Sequence, residues 1–308
     1  MEYDSFRAMS TTILLAAEGS AAQEGFVHTR SFIEACEQRF TRFSSTSELA
    51  RLNHAAGSWF PVSAEMFSLL QAAVECFTLT GGLFDPSILP DLEALGYDRT
   101  IEELRSAGPG PGSALRGRQD LPSFGSIEFE VSNLAVRLPM GMRIDLGGIA
   151  KGWIAEQATL RLRKFASTCA VNAGGDLFLV GRPAGQEQWE IALEDPRNPD
   201  LDLMNFLAEP GAVATSSVAR RFWQQDGIRR HHLVDPRSGE PSDSPWLSVT
   251  AFAPSGALAE AGAKSMLIGG PQFARSLVAS HPEFYYLAVD HDGQVWVPDD
   301  GTERIFQV

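Results

Sequence analysis

The spacing of apolar and polar residues predicts strands and helices along most of the chain. Residues 8–18 alternate and then become apolar, which predicts a first strand. From Glu24 to Phe40, apolar residues recur at helical spacing and predict a helix. A second helix is predicted to begin after Ser63, which suits an N-cap, and to end near Gly81-Gly82, a common C-terminal signal.

The rest of the chain mixes the two kinds of element. The pattern predicts strands over residues 126–138, 142–146, 168–180, 188–194 and 246–252, helices over 148–165, 258–268 and 272–280, and a hairpin from 285 to 297. Because strict β-α-β alternation is absent, the predicted class is α+β. Residues 105–125 are rich in Gly, Pro and Ser and predict a surface loop within a single domain spanning 1–308.

Composition narrows the class of protein further. The chain has 308 residues, of which 44% are hydrophobic and 21% charged, which excludes a disordered, collagenous or coiled-coil protein. It carries 25 basic and 39 acidic residues, for a net charge of −14. Phosphate backbones and anionic lipid repel such a chain, so we expect neither nucleic acid nor a membrane surface as partner. An anionic small ligand would need local positive charge or a metal ion.

The cysteines and the apolar runs indicate where the protein works. The three cysteines, with no C-x-x-C spacing, favour neither a disulfide framework nor a structural zinc site, and they indicate a reducing compartment. No apolar run approaches the roughly 20 residues of a membrane span. Neither a signal peptide nor a lipoprotein cysteine is visible. We therefore expect a cytoplasmic protein.

A first candidate segment, Thr80 to Ser87, follows the second predicted helix. Its glycine pair lets a ligand approach the backbone closely. Phe84 can stack on a flat ring, and Asp85 can accept hydrogen bonds from the N–H or O–H groups of that ring. The same residues also suit a helix end with a buried phenylalanine and a turn aspartate, so the segment alone leaves both interpretations open.

Two further glycine-containing turns adjoin predicted strands. In Ile144 to Gly152, a strand ends in Asp145, glycines turn the chain and a helix begins, which directs backbone N–H groups and Lys151 toward an anion. Neither the dinucleotide fingerprint G-x-G-x-x-G nor the Walker sequence is present. In Val171 to Asp176, a glycine pair inside a strand pattern predicts a bulge or a close backbone approach. Either turn can also be a connection without a ligand.

Residues 213–239 gather hydroxyl, arginine, histidine and carboxylate groups in an otherwise acidic chain. Arginine suits phosphate through its planar fork. A histidine beside a phosphate can transfer a proton near neutral pH, which makes His232 a candidate. The composition of Asp235 to Gly239 equally fits a plain turn, and a structural role is the alternative for His232.

Glu260 and Lys264 are four residues apart on a predicted helix and therefore lie on one face. Their neighbours Ala259, Ala261, Gly262 and Ala263 are small, so a ligand or another backbone can come close. The alternative is a surface ion pair, worth only about 0.2–0.5 kcal/mol. The small neighbours favour partial burial instead.

In their order along the chain, these segments resemble the ApbE-like family, the FAD:protein FMN transferases. The likeness starts at Ala8-Met9-Ser10-Thr11, continues through 43–53 and covers nearly the whole chain. It implies an α+β fold with a sheet-based core and flanking helices that hold FAD in a cleft. It also implies transfer of FMN from FAD to a threonine of a partner protein, with release of AMP and with Mg²⁺ on the pyrophosphate.

The resemblance implies roles for individual residues. The cofactor-binding residues would be Met9, Phe43, Leu83, Phe84, Asp85, Asp145 and Lys151. Phe43 stands where the family often has a tyrosine, so stacking is kept and a hydrogen bond is lost. The backbone carbonyl of Gly148 and the carboxylate of Glu260 would be metal ligands. His232, Glu260 and Lys264 would be the catalytic residues, with His232 implicated in the transfer.

One position departs from the family pattern. Family members usually read T-A-D-A-x-x-T where this chain has Glu260 for the aspartate and Lys264 for the threonine, the pair that holds Mg²⁺. An ammonium offers no oxygen ligand, and two unit charges about 4 Å apart interact by about 4 kcal/mol at an effective dielectric of 20. Either Lys264 replaces the metal, with Glu260 holding its ammonium against the pyrophosphate, or the site binds FAD without the metal-assisted step.

The sequence is therefore compatible with three functions. The first is an FAD:protein FMN transferase, whose partners are FAD and a flavin-accepting protein with a target threonine. The second is an FAD-binding protein without transferase activity. The third is an FAD pyrophosphatase, in which water replaces the threonine hydroxyl.

Overall fold

The computed structural model describes residues 1–107, 122–198, 200–225, 227–299 and 302–306. The helices in these ranges are α1 (Ala22–Phe40), α2 (Glu48–His54), α3 (Ala64–Leu79), α4 (Leu89–Ala94), α5 (Ile101–Ala107), α6 (Ala150–Leu162) and α7 (Gly256–Ser280). The strands are β1 (Glu2–Ala8), β2 (Thr11–Ala17), β3 (Phe60–Pro61), β4 (Glu128–Glu130), β5 (Ala135–Arg137), β6 (Cys169–Ala173), β7 (Asp176–Val180), β8 (Trp189–Glu194), β9 (Asp202–Ala208), β10 (Gly211–Ser217), β11 (Phe222–Gln225), β12 (Ile228–His231), β13 (Trp246–Ala253), β14 (Tyr285–Asp290), β15 (Val295–Asp299) and β16 (Thr302–Phe306). This mixture confirms the α+β prediction. No helix in the described ranges combines the length and the apolar character needed to cross a membrane.

The chain divides into two compact units. Unit 1 contains Met1–Glu37, Ile149–Ala219 and Ser244–Val308, and unit 2 contains Gln38–Gly148 and Arg220–Asp243. The single domain expected over 1–308 stays a prediction.

Unit 1 is built on one antiparallel sheet. Its described strands follow the order β1-β2-β6-β7-β10-β13-β14-β15-β16. Helix α6 packs on β6 and β7, and α7 packs on β10 and β13. Alternate residues of a strand point to opposite faces. Ala170 and Leu179 accordingly pack on one face of the sheet against Trp189 and Ala208 of the β8–β9 hairpin.

Unit 2 combines helices α2 to α5 with two small sheets. Strands β3, β5 and β4 form one sheet in that order, and β11 pairs with β12 in a separate hairpin. A buried apolar cluster joins α4, α5 and the residues between them to this hairpin and the segment after it: Leu92, Leu95, Tyr97, Ile101, Leu104, Trp223 and Val234. The residues of β11 and β12 are thus tied to the core of unit 2.

The predicted long helices are confirmed. Helix α1 covers the predicted range, and the Ser63 side chain caps α3 by accepting a hydrogen bond from the Met66 N–H. Helix α7 contains the predicted pair of helices, which meet at Gly270, where φ is +70° and Pro271 follows. Proline lacks an N–H and clashes with the preceding turn, so the kink lies where the sequence places it.

The first predicted strand is corrected to a hairpin. The pattern over 8–18 misses β1, which pairs with β2 along its whole length. Strand β1 lies at the edge of the sheet and its burial alternates between half-buried and exposed, so it carries charged residues instead of an apolar run. Met9 and Ser10 form the two-residue turn between the strands.

Two other strand predictions are wrong in detail. Residues 168–180 are two strands joined by Gly174-Gly175, whose φ angles of 70° and 100° suit a tight hairpin turn instead of a bulge. The predicted close approach is confirmed, because a Cβ on Gly174 would lie 2.1 Å from Thr11 Oγ1. Residues 126–138 are divided into β4 and β5 by a 3₁₀ turn at 131–133.

Residues 142–146 form no strand, although their apolar character predicts one. The side-chain amide of Asn53 takes the place of a neighbouring strand, because it donates to the Ile144 carbonyl and accepts from the Ile144 N–H, both at 2.9 Å. An amide can satisfy both backbone groups of one residue in this way. Of the predicted loop 105–125, residues 108–121 lie outside the described residues, and 105–107 belong to α5.

Candidate functional site

In unit 1, helices α6 and α7 touch backbone to backbone at two glycines. A Cβ on Gly152 would lie 2.2 Å from the Gly256 carbonyl oxygen, and one on Gly256 would lie 1.9 Å from the Gly152 carbonyl oxygen. No side chain fits at either position. The crossing therefore brings the first turns of the two helices together.

Each helix caps the other at this crossing. The Gly152 N–H donates to Glu260 Oε2 at 2.8 Å, and the Gly256 N–H donates to Glu156 Oε2 at 2.9 Å. The residue that precedes α6, Ile149, provides no side-chain cap of its own. A carboxylate at a helix N-terminus also interacts favourably with the helix dipole. The repeated spacing Gly-x-x-x-Glu, in 152–156 and 256–260, is the sequence signal for this arrangement, and sequence reasoning missed it.

Lys151 lies between two buried carboxylates. Its ammonium contacts Asp176 Oδ2 and lies 3.2 Å from Glu260 Oε1. The Asp176 and Glu260 residues are only 1% and 2% exposed. The second Asp176 oxygen, Oδ1, is buried and has no hydrogen-bond partner among the described residues. Asp176 ends the glycine-containing segment Val171 to Asp176, and the sequence pattern indicated no role for its carboxylate.

The donor groups around Glu260 do not fit Mg²⁺. The ion requires near-octahedral oxygen ligands, whereas both Glu260 oxygens already contact α6 and the Lys151 ammonium lies between the two carboxylates. Lys264 adds a second ammonium one turn further along α7. Among the described residues, no group of three or more His, Cys, Asp or Glu side chains could hold a metal ion.

In unit 2, three of the predicted segments come together around Asp145. Ile144 is held by the Asn53 amide, and the Asp145 N–H donates to the Pro86 carbonyl at 2.9 Å. The Arg42 guanidinium pairs with the Asp145 carboxylate, with 3.5 Å between Nε and Oδ1. The predicted cofactor segments at 43–53, 83–87 and 144–148 are thus joined by direct contacts.

The aromatic residues of this region differ in what they can offer a flat ring. Phe43 is 44% exposed, whereas Phe84 and Leu83 are only 3% and 7% exposed. Asp85 Oδ1 accepts hydrogen bonds from the Ser87 N–H and Oγ–H at 2.8 and 2.6 Å, as a turn aspartate does. Phe43 therefore offers a ring face. The cofactor contacts expected from Leu83, Phe84 and Asp85 stay predictions. Their surroundings agree with the alternative interpretation, a helix end with a buried phenylalanine and a turn aspartate.

His232 follows the β11–β12 hairpin in unit 2. Its Nδ1 lies 3.3 Å from the Arg221 carbonyl oxygen. Because a carbonyl can only accept, Nδ1 carries the proton and Nε2 keeps its lone pair in the neutral ring. The hairpin is anchored by Trp223, whose indole N–H donates to the Leu95 carbonyl at 2.9 Å and whose ring stacks on Tyr97. His232 thus has the tautomer that a proton acceptor needs.

The neighbouring His231 serves a different purpose. Its Nε2 lies 3.1 Å from the Ser242 carbonyl oxygen. Burial lowers the pKa of His231, with a smaller effect from Arg229, so this ring is neutral at neutral pH. Asp235 to Gly239 form the predicted turn, closed by a hydrogen bond from the Gly239 N–H to the Asp235 carbonyl.

Met9 occupies a strained position at the end of β1. It and Ser10 have φ angles of 52° and 56°, in the left-handed region that side chains rarely adopt. The Met9 N–H donates to the Glu37 carboxylate, which helps to hold the turn. Strain of this kind is often retained where a side chain serves a ligand.

We expect Met9→Gly and Ser10→Gly to relieve similar backbone strain but to differ in cofactor affinity. Left-handed backbone costs a residue with a Cβ about 1–2 kcal/mol, and the flexibility of glycine offsets part of the gain, so each variant should melt at or slightly above the wild-type temperature. Only Met9→Gly should weaken FAD binding, by about 10-fold, if the thioether contacts the flavin. Calorimetry measures the melting temperature and flavin fluorescence titration measures the FAD affinity. Equal FAD affinities in the two variants would show that the Met9 side chain does not contact the flavin.

The predicted residues fall in both units. Met9, Lys151, Glu260 and Lys264 belong to unit 1, whereas Phe43, Leu83, Phe84, Asp85, Asp145, Gly148 and His232 belong to unit 2. Glu260 and Lys264 lie on one face of α7, with Glu260 buried and Lys264 half-buried. Lys151 contacts Glu260, a pairing that sequence spacing did not indicate. The individual roles of these residues stay predictions.

Comparison with known proteins gives the family. The sequence model of the ApbE family matches residues 9–287 of this chain. A protein from Treponema pallidum named FAD:protein FMN transferase is 28% identical over 84% of this chain and 75% of its own length. One of the same name from Klebsiella pneumoniae is 30% identical over 72% of this chain and 68% of its own.

Solved structures agree with this match. The crystal structure of the ApbE protein from Thermotoga maritima superimposes with a TM-score of 0.80 at 26% identity and covers 96% of both chains. The flavin transferase ApbE from Vibrio cholerae shows the same fold, with a TM-score of 0.75 at 21% identity over 99% of this chain and 96% of its own. The fold expected from the resemblance is confirmed, and the chain belongs to the ApbE family.

Proposed function

We propose that this protein is an FAD:protein FMN transferase, which moves FMN from FAD to a threonine of a partner protein and releases AMP. The observation that carries the proposal is the family match over residues 9–287, together with relatives of that name at 28–30% identity. Both alternatives from the sequence, a flavin-binding protein and an FAD pyrophosphatase, would use the same cofactor. The pyrophosphatase differs from the transferase in its nucleophile, which is water, and the binding protein carries out no reaction on FAD.

The reaction requires one proton acceptor and one centre of positive charge. The threonine oxygen attacks the phosphorus on the FMN side of the pyrophosphate, a new P–O bond forms, and the bond to the AMP phosphate breaks. His232 Nε2 takes the hydroxyl proton and passes it to the released phosphate or to water. The hydrogen bond from Nδ1 to the Arg221 carbonyl fixes this tautomer and supports the assignment.

Lysine and arginine side chains would supply the positive charge on the pyrophosphate. Phosphoryl transfer depends mainly on positioning and on charge stabilisation. Lys151 is already matched by Asp176 and Glu260, so it contributes little net positive charge. Lys264, one turn beyond Glu260 on α7, is the group that we assign to the phosphates. Glu260 acts indirectly in this scheme, because its contacts fix α6 and Lys151.

The test combines an acceptor assay with chelation. The purified protein is incubated with FAD and candidate acceptor proteins, with and without EDTA, and covalent flavin is read as fluorescence in a denaturing gel. We expect labelled acceptor and AMP in both conditions, and we expect His232→Gln to reduce labelling by about 10²–10⁴-fold. His291→Gln, a substitution of an exposed histidine, is the matched control and should label normally.

Other outcomes identify the alternatives. Release of AMP and free FMN without labelled acceptor indicates a pyrophosphatase. Tight FAD binding without turnover under any divalent cation indicates a binding protein. Labelling that is abolished by EDTA and restored by Mg²⁺ would contradict the assignment of Lys264 to the phosphates while leaving the transferase function in place.

A further inference from the structure

Arg42 is a buried arginine at the centre of the contacts in unit 2. Its side chain is only 5% exposed. One terminal nitrogen donates to the Tyr97 carbonyl at 2.7 Å, and Nε faces Asp145 Oδ1 at 3.5 Å. The guanidinium carbon lies 4.3 Å from the centre of the Phe43 ring and 4.7 Å from that of Tyr97. One group thus contacts two aromatic rings, a carbonyl and a carboxylate.

The contact with Phe43 determines which part of that ring is available. The guanidinium covers the Phe43 ring at a distance typical of cation–π pairs. Tyr97 meets the same ring at a steep angle, with centroids 6.2 Å apart and planes 60° apart. Phe43 is still 44% exposed, so the uncovered part of the ring faces outward. Arg42 therefore packs on one side of the Phe43 ring and leaves the exposed part of that ring available for stacking with a flat ligand ring.

The contact with Asp145 determines how that carboxylate is presented. Oδ1 is paired with Arg42, and the backbone N–H of Asp145 is bound to Pro86. Oδ2 lies toward Gly147, where an added Cβ would be 3.1 Å away. The Asp145 side chain is 17% exposed, so it can still accept a hydrogen bond from a ligand. Because Arg42 holds one oxygen, the carboxylate has a defined orientation.

We infer that Arg42 is a positioning residue of the cofactor site, which fixes the Phe43 ring and the Asp145 carboxylate for FAD. The inference rests on the proposed function, since it takes FAD as the ligand. Arg42 acts through these two neighbours, because its own burial keeps it from the ligand. A lysine cannot replace it, since a compact ammonium lacks the planar fork that spans both rings, the carbonyl and the carboxylate.

The test compares two Arg→Lys substitutions, each of which removes a guanidinium that contacts an aromatic ring and a carboxylate. Arg42→Lys keeps the charge but loses the planar group. Arg137→Lys is the matched control, because Arg137 also lies over an aromatic ring, Trp59, and pairs with a carboxylate, Glu128, but on an exposed surface of unit 2. We expect Arg42→Lys to raise the KM and Kd for FAD by about 10- to 100-fold with kcat reduced less than 3-fold, and Arg137→Lys to change neither.

A double-mutant cycle separates positioning from a general effect on folding. If Arg42 acts through Asp145, the loss of FAD affinity in Arg42→Lys/Asp145→Asn should be clearly smaller than the product of the two single losses. Affinity is measured by fluorescence titration on protein with a cooperative melting transition. Wild-type FAD affinity in Arg42→Lys would overturn the inference, as would strictly multiplicative losses.

The role of Arg42 and the transferase function are tested by different measurements. FAD affinity is measured without an acceptor, so it reports on Arg42 whether or not transfer occurs. If Arg42→Lys does not give a cooperative transition, Arg42→Gln, which keeps a planar hydrogen-bonding group, is used in the same cycle. If the wild-type protein labels no acceptor, only the transferase function is contradicted. If the Arg42 variant binds FAD with wild-type affinity, only the positioning role is contradicted.

Discussion

Replacing Lys151 with methionine is expected to lower the free energy of unfolding by about 3–5 kcal/mol at neutral pH, the usual cost of removing one partner of a buried ion pair. The reason is that Asp176 and Glu260 are almost fully buried and both contact this ammonium. Without it, two negative charges remain in a low-dielectric region and lose the ammonium that contacts both of them. Chemical denaturation followed by circular dichroism measures the loss.

A matched control shows whether the loss is specific to the buried pair. Lys164→Met, at an exposed residue just beyond the end of α6, is the matched control and should change stability by less than about 0.5 kcal/mol. A loss of stability at neutral pH no larger than that of the control would contradict the proposed pairing.

The elements that the sequence predicted well are those whose own residues specify them. The Ser63 cap and the Gly270-Pro271 kink depend on local backbone chemistry, and both are where the sequence places them. Strand β1 was missed because its identity depends on pairing with β2. Residues 142–146 were assigned to a strand because their apolar pattern does not reveal that the Asn53 amide satisfies Ile144 from 91 positions away in the chain.

The same distinction applies to the candidate site. Motif order along the chain indicated the family, and residues within one motif, such as Asp145 and Gly147, are close because they are close in sequence. The partners of those motifs come from distant segments: Arg42 for Asp145, and Asp176 and Glu260 for Lys151. Glu260 illustrates the consequence. The family resemblance implied a catalytic role for it together with Lys264, whereas its described contacts are to the N-terminal turn of α6.

Substituting alanine for Gly152 is expected to have the other large effect, because the obstacle to the new methyl group is backbone. The added Cβ would lie 2.2 Å from the Gly256 carbonyl oxygen, so α6 and α7 must separate. Overpacking costs about 1–3 kcal/mol, and a buried carboxylate that loses a hydrogen bond costs about 1–3 kcal/mol more. We therefore expect a total loss of about 2–6 kcal/mol, measured as the free energy of unfolding.

The control for this substitution lies in the same pair of helices. In Gly262→Ala the new methyl group meets the Phe284 ring, at 2.7 Å from Cε1, instead of a backbone carbonyl. A ring can shift, and alanine favours a helix over glycine by about 1 kcal/mol, so this variant should lose clearly less stability than Gly152→Ala. Equal losses would mean that the helix crossing tolerates separation. In that case, the hydrogen bonds from Glu156 and Glu260 would not be responsible for the positions of the two helix N-termini and of Lys151.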